Sequence, residues 1–96
     1  MENMMPGLYS QFVLAIDLGT SGPKVALATL TGEVIDAAIG STPVILLPDG
    51  GVEQDPRDWW EAIKVATRQL LERQTTLRDR IVAVSCTTQW PTCRNL

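Results

Sequence analysis

The sequence predicts an α/β domain in the order β-β-β-α-β, and three observations carry that expectation. Short β-rich apolar runs separated by Gly-containing turns open the chain, one amphipathic helical stretch follows, and a last apolar run of strand length comes after it. Phe12 to Ile16 reads as a buried strand that ends at Asp17, and Leu18 to Pro23 as a loop rich in turn formers. Lys24 to Leu30 is a second strand, Thr31 and Gly32 supply a two-residue turn, and Glu33 to Ile39 is a third strand, so the three form an antiparallel meander. From Gly40 to Gln54 the prolines and glycines predict a loop, with a strand fragment at Val44 to Leu47. Asp55 suits the cap of a helix and Pro56 its first position, while Asp58 favours the positive end of the helix dipole. Trp59, Ile63, Ala66 and Leu70 then recur at helical spacing and predict an amphipathic helix to about Arg73. A polar link over Gln74 to Arg80 leads to the strand Ile81 to Ser85, which a helical crossover makes parallel to the first.

Length bounds what such a domain can do. The 96 residues make at most one small domain, too little for two lobes with a cleft between them. With 8 Lys+Arg against 11 Asp+Glu the net charge is -3, and no basic stripe marks a nucleic-acid binder. The chain contains no His, so Asp, Glu, Lys, Ser, Thr and Cys are left to carry any chemistry. Cys86 and Cys93 fit neither a CxxC redox pair nor a four-ligand metal site and read as free thiols in a reducing compartment. Residues 1–11 lack the parts of a signal peptide and read as a disordered leader, and no apolar run approaches the roughly 20 residues of a membrane helix. The expected setting is cytoplasmic, with no membrane partner.

The chemistry is concentrated in Asp17 to Lys24. A carboxylate at the end of a buried strand, Asp17, can hold a hydrated magnesium ion. Gly19 and Gly22 let the backbone approach a phosphate, Thr20 and Ser21 offer hydroxyls and amides to its oxygens, and Lys24 adds a point charge. There is no GxxxxGK for a Walker loop, and Gly19-x-x-Gly22 lacks the third glycine of a dinucleotide fingerprint. By themselves these residues fit equally a phosphate cradle and a hairpin whose turn needs Gly, Asp and Ser.

Three separated stretches carry a resemblance. AIDLGTSGPKVAL resembles the opening phosphate loop of the FGGY carbohydrate kinases, GGVEQDPRDWWEAI their "pGwvEQdPedWWea" segment, and IVAVSCTTQW the strand and loop written "IaaIgvSgQmhG". The middle stretch is the most specific, and together they cover Phe12 to about Trp90. The resemblance implies part of an actin-like, ribonuclease H-like ATPase domain over 12–90, with a divergent tail at 91–96. It further implies an ATP-dependent, xylulokinase-like phosphorylation of a sugar or polyol hydroxyl. Carried over by position, Asp17 would bind Mg2+ through water. Gly19, Thr20, Ser21, Gly22 and Lys24 would hold the ATP phosphates, and Gln89 and Trp90 would face the sugar. Where relatives have Met-His or Arg-Glu after the glutamine, this sequence has Trp90-Pro91, so the sugar is left unassigned. The family's base aspartate, its FGGY signature and its adenosine pocket have no counterpart in the 96 residues. The expectation is therefore the N-terminal portion of a kinase, inactive alone, with an open edge on its last strand. The rivals are a gene remnant, a split-gene fragment that completes a partner chain's sheet, or an ATP-binding module without a sugar site.

Other candidates have plainer readings. Trp59 and Trp60 read as helix anchors, at least one of them in the core. Asp55 reads as a cap rather than as half of a carboxylate pair with Glu53, and Cys86 as a small buried hydrophobe.

Overall fold

A computed structural model describes residues 11–19 and 21–88. The leader expected over 1–11 falls outside this range except for Gln11, and the tail 91–96 lies wholly outside it. The elements are β1 (Phe12–Gly19), β2 (Gly22–Thr29), β3 (Val34–Ile39), β4 (Ile45–Leu46), β5 (Val52–Glu53), α1 (Pro56–Arg73), a 3₁₀ turn (Arg78–Arg80) and β6 (Ile81–Thr88).

Four strands form one sheet in the order β3-β2-β1-β6. The first three are an antiparallel meander, and β6 returns beside β1 in parallel. That return is the consequence of α1, because a parallel neighbour can be reached only by a crossover. The strands run further than the apolar pattern indicates. Strand β1 continues past Asp17 to Gly19 and β2 begins at Gly22, since each residue has a cross-strand partner up to the pair Gly19 and Gly22. Polar residues near a turn satisfy the ladder as well as apolar ones do, so hydrophobicity alone underestimates them. The third strand begins one residue later than expected, because Glu33 belongs to the turn, where its amide bonds Thr29 Oγ1 at 3.0 Å and its carbonyl accepts from Thr29 N–H at 2.8 Å.

The segment expected to be a loop contains a small two-stranded sheet, β4 with β5, closed by a turn in which Leu47 N–H donates to Gly51 O at 2.8 Å. Asp49 Oδ1 accepts from Gly51 N–H at 2.8 Å and fixes that turn.

Helix α1 starts as its sequence dictates. Asp55 stands at the cap with extended backbone, its Oδ1 accepts from Arg57 N–H at 2.9 Å, and Pro56 follows. The core lies between α1 and one face of the sheet. Phe12 and Leu14 from β1, Val25 and Leu27 from β2, Ala38 from β3, and Ala66 and Leu70 from α1 are buried together. Trp59 is 8% exposed and Trp60 59%, so one tryptophan anchors the helix and its neighbour faces outward. Ala62 is buried where the helical pattern had placed Ile63, which is only half-buried, because α1 sits over β2 and β3 rather than centrally over the sheet.

That offset corrects one expectation. Cys86 is exposed, not buried, because β6 lies at the sheet edge beyond the cover of α1. The far end of the helix is fastened to β3 instead: Arg73 Nε and Nη2 donate to Asp36 at 3.0 and 3.1 Å, Nη2 also reaches Ala37 O at 2.8 Å, and Gln74 Nε2 donates to Asp36 Oδ2 at 2.9 Å. Hydrogen bonds from Arg73 first, and Gln74 second, hold the Asp36 carboxyl well below the usual carboxylate range.

Candidate phosphate-binding site

Antiparallel pairing of β1 with β2 sets the geometry of this end of the sheet. Gly19 is opposite Gly22 at the last rung of the ladder, and two steps down Asp17 is opposite Lys24. Side chains directly opposite one another share a face. Asp17 and Lys24 therefore stand side by side, both exposed, on the face of the sheet turned away from α1, since Leu14 and Ile16 take the helix side. The parallel register with β6 places Thr87 on the other flank of Asp17. Lys24, Asp17 and Thr87 thus form one row across three strands beneath the glycine turn.

The turn itself is held by close packing. Gly22 has φ 141°, and a Cβ there would collide with the Gly40 carbonyl oxygen and lie 2.7 Å from Ser41 Cα. Two backbone bonds join the same strands of chain: Gly40 N–H donates to Pro23 O at 2.8 Å, and Thr42 N–H to Ser21 O at 3.3 Å. Behind them Gln54 Nε2 donates to Thr42 Oγ1 at 3.2 Å, and Trp59 Nε1–H donates to Gln54 Oε1 at 3.3 Å.

Of the residues singled out from the sequence, Asp17, Gly19, Ser21, Gly22 and Lys24 gather at this end of the β1–β2 hairpin. Thr20, Gln89 and Trp90 lie outside the described residues. Glu53 and Asp55 are elsewhere, with Asp55 occupied at the cap, where the Arg57 side chain, donating to Asp55 Oδ2 at 2.8 Å, lowers its carboxyl pKa. Sequence reasoning missed Thr87, whose place beside Asp17 depends on the parallel register, and Thr42 with Gln54, whose meeting needs the β4–β5 turn. Among the described residues no three His, Cys, Asp or Glu side chains gather into a cage for a metal ion. A magnesium ion that arrives with a nucleotide needs only one or two carboxylates besides phosphate and water, and an exposed Asp17 in this row fits that demand.

The profile of the "FGGY family of carbohydrate kinases, N-terminal domain" matches residues 12–94. The chain belongs to this family. An FGGY relative named xylulose kinase, from Staphylococcus epidermidis, is 35% identical over 75 residues, which is 78% of this chain and 15% of the relative. One named glycerol kinase, from Synechocystis, is 28% identical over 89 residues, 93% of this chain and 18% of the relative. Among solved structures, a xyloylose kinase from Brucella ovis superposes with a TM-score of 0.77 at 30% identity, covering 82% of this chain and 17% of that one. The superposition makes the α/β sheet of this chain an FGGY kinase sheet of the actin-like ATPase type. The chain spans less than a fifth of the length of these relatives. Among the described residues no helix is long and apolar enough to cross a membrane.

Proposed function

We propose that the β1–β2 hairpin is the phosphate loop of an ATP-dependent sugar or polyol kinase, and that these 96 residues bind Mg-ATP but transfer no phosphoryl group by themselves. The observation that carries the reading is the register: Asp17 and Lys24 are opposed on one face, two steps from a glycine turn. In this reading Asp17 holds magnesium through water, Gly19, Thr20, Ser21 and Gly22 wrap the phosphates, and Lys24 offsets their charge. Such groups act by positioning and charge neutralisation, which dominate phosphoryl transfer. The acceptor is a small polyhydroxy compound of the kind named for the xylulose and glycerol kinases, with Gln89 and Trp90 facing it. The cytoplasm suits this role, since it supplies ATP and keeps an exposed thiol such as that of Cys86 reduced. Transfer also needs a base for the acceptor hydroxyl and a closed, water-excluding cleft, which the four-stranded sheet and α1 do not form among the described residues.

Titration of the purified chain with Mg-ATP tests the reading. Binding with Kd of about 1 mM, or roughly 4 kcal/mol, is expected. It should disappear in Asp17→Ala and in Thr20→Ala, and equal binding by those variants would refute the assignment.

A second reading is favoured by β6, which among the described residues is an edge strand of the sheet and carries Val82 and Val84 at 55% and 64% exposed. Here the chain contributes its sheet to a partner polypeptide whose strand pairs with β6. Co-expression with the remainder of a family kinase, followed by a search for restored sugar phosphorylation, distinguishes the two.

A further inference from the structure

We propose that Gln54 is a positioning residue for the phosphate loop, tying Ser21 through Thr42 to the buried indole of Trp59; this rests on the phosphate-loop reading above. The side-chain amide of Gln54 works in both directions, accepting from Trp59 Nε1–H at 3.3 Å and donating to Thr42 Oγ1 at 3.2 Å. Thr42 is itself buried, and its backbone N–H donates to Ser21 O in the turn at 3.3 Å. Each link is fastened at its far side. Trp59 is packed in the first turns of α1, and Gln54 immediately precedes the capping Asp55 and Pro56, so its backbone cannot drift without unwinding the helix start. At the other end the Gly22 backbone lies directly against Gly40 and Ser41, so a movement of that segment is transmitted to the turn by contact.

The need for such a tie is physical. The connection beyond the Gly19–Gly22 pair lies past the last rung of its hairpin, and the ends of hairpins are where local opening is least costly. A loop that grips phosphates with backbone amides must hold them in one arrangement beforehand, or the ordering cost is taken from the binding free energy. The relay gives the turn a third support, running from the core through an amide that can bridge a donor and an acceptor at once. A glutamate at this position would keep the acceptor for Trp59 and accept from the Thr42 hydroxyl, so the bridge survives that change with the middle bond reversed.

Amide exchange and 15N relaxation on the 96-residue chain test the relay, with Mg-ATP affinity as a parallel readout. In Gln54→Ala the Thr42 amide is expected to exchange about tenfold faster, and Ser21 and Gly22 to gain backbone motion, while the amides of Ala66 to Leu70 stay near wild type. Mg-ATP binding should weaken several-fold, and Gln54→Glu should restore both readouts. Thr42→Val, which keeps the backbone donor and removes the hydroxyl, should match Gln54→Ala, and the pair combined should add nothing further. Uniform acceleration across Thr42 and Ala66 to Leu70 would reduce Gln54 to a general stabiliser and overturn the proposal, as would an unchanged Thr42 amide. If the wild-type chain binds no Mg-ATP, the phosphate-loop reading fails, and with it the positioning role; a selective response at Thr42 would then show a hairpin clamp only.

Discussion

Gly22, at φ 141°, stands so close to the Gly40 carbonyl that a side chain there would run into it. Gly22→Ala must therefore move one of two backbone segments as well as adopt a conformation that L residues rarely take. The expected cost is about 2–4 kcal/mol, read by urea denaturation. Gly32 provides the control, since its φ is 95° but nothing lies within 4 Å of a Cβ there. Gly32→Ala should cost only the backbone strain, about 1–2 kcal/mol. Equal costs at the two glycines would mean that the Gly22–Gly40 contact is not what constrains the turn.

Asp36 gives the fold a pH dependence of definite sign. Its folded-state pKa is depressed by Arg73 and Gln74, whereas in the unfolded chain it returns to about 3.9. The unfolded state then binds more protons in acid, so the contribution is complete above about pH 5 and is lost as the pH falls through and below 4. Because the pair is at the surface, screening keeps the effect modest. Asp36→Asn should flatten the dependence of Tm on pH between 5 and about 2.5, while changing Tm little once the wild-type carboxyl is protonated. A wild-type slope retained in Asp36→Asn would assign the acid lability to other carboxylates.

Burial separates the two faces of α1. Leu70 is fully buried against the sheet, and Leu70→Ala should cost about 2–5 kcal/mol through lost transfer energy and the cavity left behind. Trp60 faces outward with Lys64 Nζ 5.8 Å from its ring centre, and Trp60→Ala should change stability by no more than about 0.5 kcal/mol. A large loss at Trp60 would show that the uncovered groove floored by Leu14, Ile16 and Val84 is filled in solution.

What could be read in the sequence follows the range of the interactions involved. The helix from Pro56 to Arg73 was legible to its cap because Asp55, Pro56 and the spacing of Trp59, Ala66 and Leu70 act within a few residues of one another. The antiparallel pairing of β1 with β2 was legible in the same way, but Leu18 to Pro23 read as a loop because its polar and glycine residues hide the rungs that extend to Gly19 and Gly22. Strand β4 was legible as the fragment at Val44 to Leu47, but its partner β5 was not, since a two-residue strand is too short to show a period. Nor was the meeting of Thr42 with Gln54, because Gln54 next to Asp55 reads as part of a helix start until the turn at Asp49 to Gly51 brings the two together. The exposure of Cys86 depended on where α1 sits across the sheet, and periodicity within β6 carries no information about what covers it.

The two edges of the sheet differ in a way that predicts how the chain behaves at high concentration. Strand β3 has a register shift opposite Leu27 and Ala28, and Arg73 clasps its Asp36 and the Ala37 carbonyl. Both features discourage a further strand from pairing there. Strand β6 runs from Ile81 to Thr88 without a charge or a proline and, among the described residues, without such a clasp, and its valines are exposed. Edge pairing through main-chain groups is open to any extended segment, a second copy included. Sedimentation of the chain should therefore show mass rising above that of the monomer as concentration increases. Val84→Lys places a charge on this edge at a position that is already exposed, so the fold is retained while the cost of desolvating the ammonium opposes pairing. The variant should remain monomeric over the same range with an unchanged far-UV spectrum. A wild-type chain that stays monomeric throughout would show that the β6 edge is not open to pairing.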